Sequence, residues 1–166
     1  MFCKKCGREI SGNDPFCPGC GAKQVTTYQE IFDRNGMSEK AFIQQINEWF
    51  CNNPMAGNFS CEFDLDTSIG LLVNKYKMNR FILHYEMLPS ENRNHYVLVK
   101  EENLTMVVQN SKEYMQRWKQ EHPEVTVVNW SGGTHSRGQT SSLILGGFGA
   151  VNKLNMYILY KYPRNK

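Results

Sequence analysis

The sequence predicts an α+β protein: a small N-terminal cysteine module followed by a domain with an antiparallel sheet and two main helices. Three observations carry this. Four of the six cysteines sit in two C-x-x-C pairs within the first twenty-one residues. Several short segments alternate apolar and polar residues with period two. Two segments carry apolar residues at helical spacing. Adjacent strands joined by short turns imply antiparallel pairing.

The chain has 166 residues, 40% of them apolar and 21% charged, a globular composition. That length accommodates one ordinary domain and a small appendage, read here as residues 1–24 and 25–166. No apolar stretch precedes Cys3, and the longest apolar run, Leu143 to Val151, is far too short to span a bilayer. These features point to a soluble protein of the reducing cytoplasm, where structural disulfides are disfavoured. The net charge of +3 is too mild to mark a nucleic-acid protein on its own.

The N-terminal stretch reads "FCKKCGREISGNDPFCPGCG". Cys3 with Cys6, and Cys17 with Cys20, each let the chain bend so that two sulfurs face one point. Gly7 and Gly21 follow the pairs and suit a tight turn. Ser11 to Pro15 supply the turn of the intervening hairpin. A disulfide clasp, a redox dithiol and a metal site compete for these cysteines. The compartment argues against the first, and the absence of a surrounding βαβ pattern against the second. Four thiolates suit one structural zinc, whose −2 complex would be balanced by the +2 of residues 1–24, with Lys4 and Lys5 inside the first knuckle. So few residues cannot build an apolar core, so metal binding would drive their folding.

At these residues the chain resembles the short bacterial zinc-ribbon family, whose modules run C-x-x-C-G, a spacer, then C-P-x-C-G. Cys17-Pro18-Gly19-Cys20-Gly21 fits the second knuckle in full, and Cys3-Lys4-Lys5-Cys6-Gly7 has lysine where the family often has proline. The resemblance covers residues 1–23 and implies metal binding. It does not imply one function, because such ribbons are fused to many partners.

The remaining elements follow in order. "TYQEIF" reads as a two-turn helix, with Thr27 and Glu30 as a capping box and Gly36 as its end. Ser38 caps the next helix, whose stripe is Phe42, Ile43, Ile46, Trp49 and Phe50 and which Pro54 stops. "NFSCEFDLD", "LLVNKYKM" and "RFILHYEML" read as strands. "HYVLVK" and "LTMVVQ" read as two arms of a hairpin turning at Glu101-Glu102-Asn103. A second helix begins near Asn110 or Ser111, with Tyr114, Met115 and Trp118 on its buried side. "VTVVNW" reads as a strand, Ser131 to Ser142 as a polar loop, and "LNMYILYKY" as a last strand with Leu154, Met156, Ile158 and Tyr160 on one face. No internal repeat stands out.

Candidate sites outside the ribbon are sparse. Cys51 and Cys61 read as buried free thiols, with a Cys61–His84 catalytic pair as the rival. Glu62, Asp64 and Asp66 read as a solvated strand face, with a hard-cation site as the rival. His135 and Arg137 sit in the glycine-containing loop, which lacks the phosphate-loop pattern. Residues 151–166 carry Lys153, Lys161, Arg164 and Lys166 with interleaved tyrosines and no acidic residue, a composition that could meet a polyanion. The expected function is a binding or adaptor protein with a non-catalytic zinc and a protein partner, contacted through Lys4, Lys5, Arg137, Lys161 and Arg164. Two alternatives are nucleic-acid binding by the ribbon lysines and basic tail, and an enzyme of unfamiliar type using His84, His95 or His135.

Overall fold

The computed structural model describes residues 2–11, 16–23, 26–66, 76–105, 110–137 and 151–164. Beyond the cysteine module lie β1 (Thr27–Asp33), α1 (Glu39–Asn52), β2 (Ala56–Asp66), β3 (Lys77–Met87), β4 (Asn94–Thr105), α2 (Ser111–Glu121), β5 (Thr126–Arg137) and β6 (Val151–Pro163). The strands form two antiparallel three-stranded sheets, in the orders β1-β3-β2 and β4-β6-β5. The α+β expectation holds.

α1 forms as its stripe dictates. Ser38 accepts the Ala41 N–H at 3.2 Å, and Phe42, Ile46 and Phe50 are buried. They pack on the helix-facing side of the first sheet, against Phe32, Cys61, Phe81 and Leu83, and against Leu98 and Leu159 of the second. Asn110 caps α2, whose Met115 and Trp118 pack on Leu154, Met156 and Ile158 of β6. β6 is therefore buried on both faces, because Tyr157 and Leu159 point the other way into the α1 core. A chain of polar contacts joins these layers. The Tyr157 hydroxyl donates to Glu39 at the start of α1 and accepts the Met78 N–H at 2.9 Å. Lys100 of β4 donates to the same Glu39.

Three elements differ from expectation. "TYQEIF" is a strand, not a helix: seven residues cannot sustain an isolated helix, and pairing with β3 lets Phe32 reach the core. "HYVLVKEENLT" is one continuous strand rather than a hairpin, with Glu101, Glu102 and Asn103 opposite Met156, Asn155 and Leu154. Its polar run is tolerated because Glu102 is held by Lys100 beside it and by Lys153 across the ladder at 3.2 Å. The expected loop from Ser131 is strand as far as Arg137. Gly132 makes this possible. It has φ +148, and a Cβ there would lie 2.1 Å from the Asn155 carbonyl oxygen, so only glycine lets β5 approach β6 this closely. Residues 12–15 of the expected ribbon turn, 71–75 of "LLVNKYKM", 106–109 of "LTMVVQ" and 138–142 of that expected loop lie outside the described residues.

Candidate metal centre

Two short hairpins build the cysteine module. The Cys3 N–H donates to Arg8 O and the Gly7 N–H to Cys3 O, each at 2.8 Å. The Cys17 N–H donates to Ala22 O and the Gly21 N–H to Cys17 O, also at 2.8 Å. Phe2 bridges Glu9, and Phe16 bridges Lys23. The two halves are thus one knuckle used twice, Phe-Cys-x-x-Cys-Gly at 2–7 and again at 16–21. Against the expectation of no internal repeat, this is a short one, signalled by the shared Phe and Gly around each C-x-x-C. Gly7 and Gly21 sit at φ +71 and +67, which glycine adopts without penalty.

The knuckles bring four sulfurs together. The Cys3 and Cys20 sulfurs are 3.7 Å apart, those of Cys6 and Cys17 3.6 Å, and all four ligand atoms lie within 4.8 Å of one another. A disulfide would need about 2.05 Å. A tetrahedron with zinc–sulfur arms of about 2.3 Å has edges of about 3.8 Å, which these separations match. Among the described residues, no other His, Cys, Asp or Glu set gathers three such donors.

The local electrostatics favour thiolate at Cys3 and Cys17. The Cys6 and Lys5 N–H groups draw the Cys3 thiol down to about 6. Burial opposes ionisation of Cys17, but the Gly19 and Cys20 N–H groups outweigh it and its thiol lies below the usual range. The Gly19 N–H donates to Cys17 Sγ at 3.4 Å. At Cys6 the Arg8 N–H favours the thiolate, yet the neighbouring sulfurs of Cys20 and Cys17 push the thiol up to about 12. Thiolates this close repel one another unless a cation sits among them, so the donor set fits a divalent metal. Among the described residues, the module's own apolar core is Cys3, Ile10 and Cys17, with Cys20 and Ala22 beside them. Zinc, when bound, would offset half of the thiolate charge and supply the cohesion that this core lacks. Cys3, Cys6, Cys17 and Cys20 form a zinc-ribbon site consistent with one structural zinc.

The other candidates are not ligands of this centre. Lys4 and Lys5 are exposed on the first knuckle. Lys161 is half-buried near the end of β6, while Arg164 is tied down: its N–H donates to Arg93 O at 2.8 Å and its guanidinium lies 3.6 Å from Glu91. The side chains of His135 and Arg137 lie outside the described residues.

Cys61 is buried, and burial pushes its thiol up to about 12. His84 is on the opposite face of the sheet, 3.6 Å from Glu62, so the two do not form a pair. Cys51 is exposed, against expectation, because it lies off the Phe42–Ile46–Phe50 stripe. Asp64 lies opposite Arg80 on the solvent-facing side of β2. His95 lines a cavity of about 20 Å³, room for one water, with Arg164 and Asn92; His84 does not reach it. No helix among the described residues is long and apolar enough to cross a membrane.

No curated protein and no solved structure matches the chain. Residues 2–24 match the family model of the zinc-ribbon domain, so the two C-x-x-C knuckles are a zinc ribbon.

Proposed function

We propose that the chain works by recognition, as an adaptor or regulatory protein in which the ribbon is a rigid presentation surface and the α+β domain engages a protein partner. The closed sulfur set carries this reading. Four cysteines take all four positions of a tetrahedral zinc, which leaves none for an activated water or a polarised substrate. The ribbon's outer surface supports a contact role, since Phe2 and Phe16 are 67% and 57% exposed at equivalent positions and Lys4 and Lys5 stand beside them in solvent. Six unbridged cysteines suit a reducing cytoplasm.

A second reading is nucleic-acid binding, favoured by the exposed Lys4 and Lys5 together with Lys161. The test is charge reversal at the two ends separately, Lys4→Glu with Lys5→Glu, and Lys161→Glu alone because Arg164 is structurally engaged. A partner isolated from native extract is titrated calorimetrically against each variant at two salt concentrations. The recognition reading expects weaker partner binding at the ribbon variant, with zinc and fold retained and a shallow salt dependence. Affinity for nucleic acid that falls steeply with salt would establish the second reading instead. Unchanged binding, together with a turnover abolished at His84 or His95, would replace both with the enzyme reading.

A further inference from the structure

An open groove of about 470 Å³ runs between β1 and α1. Glu30, Phe32 and Asp33 line it from the strand, and Glu48, Trp49 and Asn52 from the helix. β1 is an edge strand. The Arg34 N–H donates to Asn79 O at 2.9 Å, and continuing the β1–β3 register sets those two residues opposite each other. A pair that exchanges hydrogen bonds alternates with one that does not. Even-numbered β1 residues therefore turn their backbone groups to β3. Thr27, Gln29, Ile31 and Asp33 turn theirs to the open side, where no strand pairs among the described residues.

Two other edge strands, β2 and β4, carry side-chain contacts on their backbone. Asn129 donates to Cys61 O on β2 at 2.7 Å. The Asn47 amide both donates to and accepts from the Leu98 backbone on β4, at 2.9 and 2.7 Å. Among the described residues β1 has no such cover, and Ile31 beside it is 49% exposed. Exposed edges of this kind are pairing templates.

The groove is also charged. Its lining holds three carboxylates and no lysine or arginine. Arg80 answers Asp33 at 2.6 Å, whereas Glu48 among the described residues meets the neutral Gln44 amide at 2.8 Å, and Glu30 adds to the same negative wall. Phe32 and Trp49, with ring centroids 6.1 Å apart, supply an apolar base between the acids.

We propose that this groove binds an extended, basic peptide segment of a protein partner. The segment adds to the open side of β1 as a fourth strand and places lysine or arginine side chains at Glu30 and Glu48. The proposal rests on the reading of the chain as a recognition protein and gives that reading its surface. Main-chain hydrogen bonds to Gln29, Ile31 and Asp33 supply affinity, and alternate side chains supply selectivity. An acidic wall repels phosphate, so the fitting partner is protein rather than nucleic acid.

The test uses the zinc-loaded full chain and two fluorescent octapeptides, one alternating lysine with valine and one alternating glutamate with valine. Binding is read by anisotropy and by amide chemical shifts. The lysine peptide is expected to bind, to shift the Ile31 and Asp33 amides, and to outcompete the glutamate peptide by at least about tenfold. Ile31→Pro removes an outward N–H without breaking a bond to β3, and is expected to weaken binding about tenfold or more. Glu30→Lys with Glu48→Lys changes only half-exposed or exposed positions, and is expected to weaken it similarly should the proline variant fold poorly. Failure of the lysine peptide to bind, equal binding of both peptides, or affinity untouched by these substitutions overturns the groove. So do shifts confined to the ribbon or to residues 151–164. A native partner that binds the groove variants as well as the unaltered chain overturns it too, while leaving the recognition role standing. Absence of any partner for either would undo both.

Discussion

Burial separates the two cysteines outside the ribbon. Cys51 lies in solvent and Cys61 beneath the aromatic core. A thiol held up to about 12 by burial keeps its proton at neutral pH and is a poor nucleophile. Iodoacetamide on the native, zinc-loaded chain is expected to label Cys51 promptly and to leave Cys61 unmodified until the chain unfolds; mass spectrometry of the digested product reads the difference. The same burial sets a pH dependence. Above the ordinary thiol value of 9.0 the unfolded chain gives up a proton that the folded chain retains. The Cys61 contribution is therefore intact below pH 9 and declines as the pH rises from there towards 12. Asn47 is the other residue with a clear stake, since its amide answers both backbone groups of Leu98 on the edge of β4. Asn47→Ala strands a partly buried donor and acceptor, and a loss of about 1–3 kcal/mol in denaturant unfolding is expected.

The helices and most strands were legible because one face of each repeats with a clear period. Phe42, Ile46 and Phe50 mark α1, and Met156, Ile158 and Tyr160 alternate along β6. The elements that misled carry local signals which distant residues overrule. Thr27 and Glu30 mimic a helix cap, yet β3 recruits the segment as a strand. Glu101-Glu102-Asn103 looks like a turn, yet Lys100 and Lys153 make it a ladder of opposite charges. Their hold on Glu102, chiefly the Lys100 hydrogen bond, keeps its carboxyl below the ordinary 4.5. The stabilisation is thus present above pH 4.5 and fades as the pH falls through the folded value. Glu102→Gln is expected to lower the unfolding free energy measured in urea at pH 7 by a small amount, under about 1 kcal/mol for a pair whose carboxylate is partly in solvent. The difference from the unaltered chain should shrink as the pH falls below 4.5. A deficit that stays constant as the pH falls would show that packing, not charge, is at stake.

The metal ligands were readable because all four lie within eighteen residues. The β1–α1 groove was not, since Glu30 and Glu48 meet only after a strand and a helix are folded against each other. Among the described residues, the main core draws on both sheets and α1 with no ribbon residue in it, while the ribbon keeps its own small cluster. Removal of residues 1–24 is therefore expected to leave a cooperative thermal transition, and a molten product would show that the ribbon completes the core. Zinc chelation should unfold the ribbon alone, leaving the tryptophan fluorescence of Trp49, Trp118 and Trp130 intact. The closed sulfur site underlies the whole account, and zinc K-edge absorption of the purified chain tests it most directly. One zinc per chain with four sulfur neighbours at about 2.3 Å is the expected result. A shell containing oxygen or nitrogen would reveal an open position, and metal-free protein with disulfides among Cys3, Cys6, Cys17 and Cys20 would remove the metal altogether; either contradicts the account.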